Sequence, residues 1–336
     1  MAFPQTGGKG TCFTLLAGRR PRILRAFPTV EGMRTLVTGV SGYVGAELAG
    51  RLRADGHHVR GFARNPDRVS VPTDELVIGD VTTGAGLDAA LDGIEVAYYL
   101  IHSMEGTDGA FAERERDSAR SFAAAAARAG LQRVVYLGGL VPPDAPLSRH
   151  LGSRLAVEHA LLDAVPEGIA LRASIVVGAR SRSFRFLVRL IERLPVMALP
   201  AWRENRTAPI DGRDVLEYLA RAATVPASVT GRSWDIGGPD VMTYADMIAR
   251  IADALMIRRP AFSLGVTLTP VASVVAAAIA GEDPALIGPL MESLEHDLLP
   301  GDTDAAADFG VRLHGFDAAV ERALRDWEGT EELAAR

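Results

Sequence analysis

The sequence predicts an α/β fold, a doubly wound parallel sheet with a smaller, mostly helical C-terminal cap. Three observations predict it: short apolar strands alternate with helices from residue 33, a glycine pattern follows the first strand, and the composition is that of an ordinary globular protein. Of the 336 residues, 48% are hydrophobic and 23% are charged. These values exclude a disordered chain, a collagen and a coiled coil.

Hydrophobic periodicity predicts the position of each strand and each helix. Short apolar runs are typical of buried parallel strands, and the amphipathic stretches between them are typical of helices. The predicted strands are 35–38, 58–62, 75–78, 96–101, 134–137, 170–177 and 233–236. The predicted helices are 44–54, 87–91, 110–129, 151–164, 184–194, 215–223 and 244–255. Thr243 and Asp246 form a capping box at the start of the last of these helices. Strands joined by helices of this length form βαβ units with right-handed crossovers.

Charge and rare residues exclude several kinds of site. The 36 basic and 42 acidic residues give a net charge of −6, which argues against general nucleic-acid binding. Cys12 is the single cysteine and Lys9 the single lysine, so the predicted fold has no internal disulfide, cysteine-rich zinc site or catalytic lysine. His57 and His58 lack a third ligand at metal spacing, so we expect no metal.

Two segments of the sequence are relevant to targeting and to membrane insertion. Residues 1–32 show no sustained periodicity, and we expect a disordered or non-native N-terminal leader there. Residues 260–281 carry no charge, but Pro260, Gly265 and Pro270 and many small residues favour a strand and a buried helix over a membrane span. We therefore expect a cytoplasmic protein with no transmembrane segment.

The motif that carries chemistry is TGVSGYVG, residues 38–45, between the first strand and the first helix. Gly39 permits a tight turn, Gly42 lets the backbone approach a diphosphate, and Gly45 allows close helix–strand packing. The N–H groups at the start of the helix can then hold phosphates. The motif predicts a dinucleotide-binding, Rossmann-type domain over residues 33–180. Residues 181–336 form a mixed region, part of it returning to the sheet and part of it forming the substrate cap.

The second strand indicates which cofactor is bound. A site that prefers NAD usually has a carboxylate at the end of this strand, whereas this sequence has Arg64, which can bond a 2′-phosphate. We therefore predict NADP (NADPH/NADP+) rather than NAD. Asp80 and Val81 could meet an adenine edge, or belong to a surface turn or helix cap. The predicted cofactor-binding residues are Gly39, Ser41, Gly42, Tyr43, Val44, Gly45, Arg64, Asp80, Val81, Leu100, Ile101, His102, Arg154, Ser174 and Ile175.

Several segments together resemble an extended or atypical short-chain dehydrogenase/reductase: the glycine pattern, Gly79–Val81, the strand 134–137, the run 171–178 and the run 235–239. The resemblance covers nearly all of residues 33–255. The segment YYLIHSM, residues 98–104, is similar to an atypical bacterial subgroup described as NAD(P)-binding or epimerase-like.

The resemblance implies a tyrosine, a lysine four residues later on the same helix, and a serine after the fifth strand, the lysine lowering the pKa of the tyrosine. None of the six tyrosines has a lysine at that spacing. Gly138-Gly139 stands at the serine position, and His150 and Arg154 stand where the tyrosine and lysine are expected. The usual catalytic residues are therefore absent.

Three interpretations of that substitution are open. His150 could replace the acid/base while Arg154 binds the ribose without titrating, or both could be ordinary solvated residues. His102, after the fourth strand, could line the cofactor pocket and donate the proton. The site could also do no chemistry. The predicted catalytic residues are His102, His150 and Arg154.

Other residues have weaker indications. Glu113, Glu115 and Asp117 on the long helix are expected to form a solvated ion-paired face. The arginines after the sixth strand could meet an anionic substrate or the cofactor phosphates, or lie on a surface helix; they are Arg180, Arg182, Arg185 and Arg189. Trp202, Trp234 and Trp327 are expected to pack in the core.

We conclude that the sequence predicts an NADP(H)-dependent oxidoreductase that transfers hydride to or from an unidentified small carbonyl or quinone-like substrate. The alternatives are a non-catalytic NADP(H)-binding sensor or regulator and a nucleotide-sugar epimerase-like enzyme. The expected partner is a small-molecule substrate, with no nucleic acid. The oligomeric state is open, with a homodimer as the candidate assembly.

Overall fold

The computed structural model describes residues 32–101, 111–142, 147, 149–263, 277–279, 288, 291, 293–301, 303–331 and 333. The strands, in chain order, are β1 Arg34–Thr38, β2 His58–Ala63, β3 Glu75–Ile78, β4 Val96–Tyr99, β5 Arg133–Gly139, β6 Glu167–Ala173, β7 Val176–Val177, β8 Met197–Leu199, β9 Arg206–Thr207, β10 Ile210–Asp211, β11 Arg232–Ile236, β12 Met242–Thr243 and β13 Ala261–Ser263. The helices are α1 Tyr43–Ala54, α2 Leu87–Leu91, α3 Phe111–Arg128, α4 Arg149–Leu162, α5 Arg182–Arg193, α6 Gly212–Ala222, α7 Tyr244–Ala254, α8 Ala305–Asp308 and α9 Phe316–Glu328.

The central sheet is parallel and has seven strands in the order β11-β6-β5-β4-β1-β2-β3. The chain starts in the middle, at β1, moves outward through β2 and β3, and then crosses back to β4. The direction of winding therefore reverses between β1 and β4. In open α/β sheets, ligands bind outside the carboxyl ends of the strands at this reversal point.

Helices cover both faces of the sheet, which explains why its central strands carry apolar residues on consecutive positions. Successive side chains alternate between faces: Leu36 and Tyr99 pack on the face covered by α2, α3 and α4, whereas Val37 and Tyr98 pack on the face covered by α1 and α6. A third cluster of buried apolar residues, which includes Trp327, holds α5, α7 and α9 together. Trp202, Trp234 and Trp327 are all buried, as predicted.

The second half of the chain contributes to the sheet as well as to the cap. β11 pairs with β6 and forms one edge of the sheet. The short strands form two-stranded pairs outside it, β7 with β10, β9 with β12 and β8 with β13. The predicted capping box of α7 is confirmed, because Thr243 and Asp246 each accept from the other's backbone N–H. Within the described parts of the chain, no helix combines the length and apolarity needed to cross a membrane.

The prediction of one strand over 170–177 is wrong. β6 ends at Ala173. Ser174 N still donates to Ile236 O in the neighbouring strand β11, but Ile175 O accepts from Ile210 N, which lies outside the sheet, and this bond turns the chain away. The chain resumes as β7 beside β10. This interruption places Ser174 and Ile175 at the carboxyl edge of the sheet, where the candidate site lies.

Candidate functional site

The glycine turn after β1 has the close approaches that require glycine. Gly39 adopts φ +69°, and a Cβ there would lie 2.8 Å from Leu100 O. Gly42 N donates to Gly39 O at 2.8 Å, which closes the turn. A Cβ on Gly45 would lie 2.3 Å from Gly39 O, so only glycine lets the first turn of α1 pack against the loop.

The N-terminus of α1 has no side-chain cap. Gly42 is the N-cap residue, and the first turn contains no acidic residue. The first hydrogen bond within the helix is donated by Ala46 N to Gly42 O, so the N–H groups of Tyr43, Val44 and Gly45 have no acceptor in the helix. These N–H groups and the helix dipole form an anion site that fits a diphosphate.

A buried threonine fixes the turn against the neighbouring strand. Thr38 Oγ1 donates to Tyr98 O at 2.9 Å and accepts from Leu100 N at 3.1 Å. The second bond ends the β4 ladder at Tyr99 and turns Leu100 and Ile101 over the glycine loop. The predicted strand 96–101 is therefore shorter than expected, and its last two residues become part of the site wall.

A cavity of about 770 Å³ extends from the glycine turn along the carboxyl edge of the sheet into the C-terminal half of the chain. Its size is that of a cofactor and substrate site. The structure brings fourteen of the predicted cofactor-binding residues to this one cavity: Gly39, Ser41, Gly42, Tyr43, Val44, Gly45, Arg64, Asp80, Val81, Leu100, Ile101, Arg154, Ser174 and Ile175. His102, the remaining one, lies outside the described residues.

The end of β2 presents two arginines to the cavity. Arg64 follows Ala63 directly, and Arg68 lies in the short 3-10 turn Pro66–Arg68 that comes after it. Neither guanidinium has a hydrogen-bond or ion-pair partner among the residues that the structure describes. Sequence reasoning identified Arg64 but missed Arg68, although its spacing of four residues within one loop was a usable signal.

Asp80 has a defined structural role at the cavity edge. Its Oδ1 accepts from Thr82 N at 2.8 Å, and its backbone N–H donates to Ala85 O at 3.0 Å. One carboxylate oxygen therefore holds the turn, as the alternative interpretation of this residue expected. Asp80 and Val81 nonetheless line the cavity, with Val81 buried.

Arg154 is buried at the cavity wall on α4. Its Nε lies 3.7 Å from Glu115 Oε1, and Ser153 Oγ donates to Glu115 Oε2 at 2.6 Å. Glu115 is only 2% exposed. The expectation that Glu115 lies on a solvated face is therefore wrong, because that side of α3 packs against α4. A carboxylate in this position holds Arg154 in place.

No tyrosine has the lowered pKa that the standard machinery of the class needs. Burial raises the pKa of Tyr43 and of Tyr136 to about 12. It raises the pKa of the other four as well, which are Tyr98, Tyr99, Tyr218 and Tyr244. At the expected serine position, Gly138 and Gly139 line the cavity without a side chain. Burial therefore favours the neutral phenol at all six tyrosines.

The structure describes the side chain of neither predicted catalytic histidine. His102 and its surroundings are outside the described residues, and for His150 only the backbone, in the first turn of α4, is described. The chain after β6 brings Ser174 into a hydrogen bond with Thr207, with 3.0 Å between the two hydroxyl oxygens. Thr207 also lines the cavity and was not recognised in the sequence.

The arginines after β6 divide into two pairs. Arg180 and Arg182 line the cavity. Arg185 and Arg189 instead lie over the Trp327 ring and pair with Glu331, which anchors the C-terminal helix. Among the described residues, no group of three His, Cys, Asp or Glu side chains could hold a metal ion.

Comparisons with known proteins agree with this geometry. A family model described as NAD(P)H-binding matches residues 39–164. A (4-alkanoyl-5-oxo-2,5-dihydrofuran-3-yl)methyl phosphate reductase of Streptomyces griseus subsp. griseus is 31% identical over 229 residues, 66% of this chain and 73% of that protein. A ceramide reductase of Caulobacter vibrioides is 28% identical over 194 residues, 56% of this chain and 61% of that protein.

The fold has solved counterparts. The structure of UDP-glucuronic acid 4-epimerase from Bacillus cereus in complex with UDP-glucuronic acid and NAD is similar, with a TM-score of 0.66 over 88% of this chain and 98% of that chain. At 17% identity, this similarity shows the fold alone. The glycine turn, the sheet order and the relatives agree, and the chain belongs to the NAD(P)H-binding family of short-chain dehydrogenase/reductase-type proteins.

Proposed function

We propose that the protein is an NADP(H)-dependent reductase whose active site works without a tyrosine base. The observation that carries the proposal is the single cavity that joins the uncapped start of α1 to Arg64 and Arg68 at one end and to Arg154 at the other. The names of the two reductase relatives, of Streptomyces griseus and Caulobacter vibrioides, support the direction of the reaction.

The residues present fit a dinucleotide. The N–H groups at the start of α1 would hold the diphosphate, and the close backbone approaches at Gly39 and Gly45 fix the turn that presents these N–H groups. Arg64 and Arg68 would bind a 2′-phosphate, since a planar guanidinium bonds phosphate in a bidentate manner and neither group has a partner among the described residues. A bound nicotinamide supplies hydride transfer to a carbonyl or quinone-like substrate.

Arg154 takes the place of the usual lysine but cannot take its full role. Fixed by Glu115, it would orient the ribose and keep a positive charge beside the reacting group. A guanidinium does not serve as a proton donor in proteins, so the proton needs another source. The candidates are His150 on α4, His102 after β4, and water.

Cofactor choice is tested by measuring the dissociation constants of NADPH and NADH by calorimetry. We expect NADPH to bind more tightly, and Arg64→Ala to weaken NADPH about 10- to 100-fold, the value of a charged hydrogen bond, with little effect on NADH. Arg312→Ala is the matched control, because Arg312 is exposed and outside the cavity. Equal losses for both cofactors would remove the assigned role of Arg64.

Turnover is tested with a panel of carbonyl and quinone substrates while NADPH oxidation is followed. His102→Ala and His150→Ala should each lower the turnover rate if the side chain moves the proton, and an unchanged rate excludes that histidine. Tight NADPH binding without turnover on any substrate would favour the non-catalytic sensor. The buried tyrosines are the observation that keeps this second function in consideration.

A further inference from the structure

A dinucleotide would lie along the carboxyl ends of the sheet strands, and the cavity extends past them. Beyond Ser174 and Ile175 it continues between α5, the 3-10 turn Ala201–Glu204 and α7. We call this part the distal chamber. Its wall is mostly apolar and includes Phe186, Leu187, Trp202, Met247, Ile248 and Leu294.

The entrance of the distal chamber is cationic. Arg180 and Arg182 line it at the start of α5, and among the described residues the only carboxylate in the cavity wall is Asp80, beside β3 at the other end. Arg180 lies 5.8 Å from the Tyr43 ring centroid and 3.9 Å from Glu47, which places it toward the glycine turn. Arg182 is exposed and has no ionic partner among the described residues.

The start of α5 adds to this positive potential. The N-cap residue Ser181 makes no capping bond, and the first turn contains no acidic side chain. The first N–H groups of α5, a helix of 12 residues, therefore lie beside Arg182 without a capping acceptor. Such a helix start combined with an arginine binds an anion.

A pair of buried aromatic rings forms part of the wall of the same chamber. The Trp202 residue is 7% exposed, and its Nε1–H has no hydrogen-bond partner among the described residues. Its ring packs edge-on against Tyr244, another residue of the chamber wall, with 6.0 Å between the ring centroids. The two rings hold each other in place and present a fixed aromatic surface to the chamber, against which an alkyl chain can pack.

We propose that the distal chamber binds an amphiphile: an apolar chain lies against Phe186, Met247 and Ile248, and an anionic head group is held by Arg182 and the start of α5. The shared chemistry of the head group is a phosphoester or a carboxylate. The inference rests on the proposed function, since it names the substrate class of that site. It explains why the C-terminal half supplies an apolar wall and a cation together.

Calorimetry with simple alkyl probes tests the proposal, on the protein alone and saturated with NADPH. The probes are octyl phosphate, octanoate, 1-octanol and inorganic phosphate. We expect octyl phosphate or octanoate to bind at least about tenfold more tightly than 1-octanol and than phosphate alone, and the stronger of the two identifies the head group. Affinity should rise about fourfold per methylene from butyl to octyl phosphate, equivalent to about 0.8 kcal/mol per buried CH2.

Two variants locate the head group. Arg182→Ala should lower the affinity for the anionic octyl probe about tenfold and leave 1-octanol and NADPH unchanged. Arg185→Ala is the matched control on the same helix, because Arg185 stacks on Trp327 outside the cavity. The proposal is overturned if 1-octanol binds as tightly as the anions, if chain length has no effect, or if Arg182→Ala weakens NADPH as much as the probe.

The failure of this inference is distinguishable from the failure of the proposed function. Loss of the probe preference with normal NADPH binding overturns the amphiphile alone. Absence of NADPH binding overturns the reductase, and the probe titrations on the protein without cofactor still decide whether the chamber takes an anionic alkyl compound.

Discussion

Two glycines on one helix provide a test of the phosphate site. Gly45 and Gly50 both lie within α1, where replacing glycine by alanine normally stabilises a helix by about 1 kcal/mol. A Cβ on Gly50 would meet nothing within 4 Å, so Gly50→Ala should raise the free energy of unfolding by about that amount. A Cβ on Gly45 would lie 2.3 Å from Gly39 O and 2.8 Å from Gly39 C.

The clash at Gly45 decides whether alanine at this position raises or lowers the free energy of unfolding. An ordinary contact of 3.4 Å requires the turn and the helix to separate by about 1 Å, and both groups are backbone, so no side chain can rotate away. Such overpacking costs about 1–3 kcal/mol, which exceeds the gain in helix propensity. We therefore expect Gly45→Ala to be less stable than Gly50→Ala by about 1–3 kcal/mol.

Measuring NADPH affinity separates the effect of each substitution on cofactor binding from its effect on stability. A displacement of about 1 Å removes the aligned N–H groups from the diphosphate, and each charge-assisted bond is worth about 1.5–3 kcal/mol. Gly45→Ala should therefore weaken NADPH at least about tenfold, while Gly50→Ala binds as the unchanged protein does. Urea denaturation and calorimetry measure the two quantities. Unchanged NADPH affinity in folded Gly45→Ala would refute the assignment of the α1 N-terminus as the phosphate site.

Two further predictions concern buried polar groups. Glu115→Ala should lower the free energy of unfolding by about 3 kcal/mol, because Arg154 and Ser153 lose their buried carboxylate; a loss below about 1 kcal/mol in urea denaturation would contradict the buried pair. His57 accepts from Met33 N at 3.2 Å, and burial lowers its pKa below 6.5, so the folded protein favours the neutral ring. The neutral His57 ring contributes fully to stability above pH 6.5, and this contribution falls as the pH decreases from 6.5 toward the pKa of His57 in the folded protein. The denaturation midpoints of the unchanged protein and of His57→Asn should therefore converge as the pH falls through this range.

The architecture could be predicted because buried parallel strands have a clear sequence pattern. Strand β5 and helix α3 lie close to their predicted positions, since apolar runs and an amphipathic alanine-rich stretch define them directly. The glycine turn was also predictable, because strand, glycines and helix occur together and each glycine has a local steric reason.

Other features depend on residues far away in the chain. The run 170–177 is mostly apolar, yet it is interrupted because Ile210 N bonds Ile175 O and the chain continues beside β10 instead of in the sheet. The charges on α3 alternate, and nothing local shows that Glu115 meets Ser153 and Arg154 on α4. Contacts of this kind are set by the packing of helices across the sheet, which periodicity does not specify.

The position of β11 has a consequence for how the protein is made. Its partner β6 is complete at Ala173, but residues 232–236 leave the ribosome much later, so the nascent chain holds β6 as an open edge in the interval. An exposed, apolar edge strand invites self-association. A nucleotide-binding fragment of this protein therefore has to retain residues 232–236 if it is to remain monomeric at high concentration.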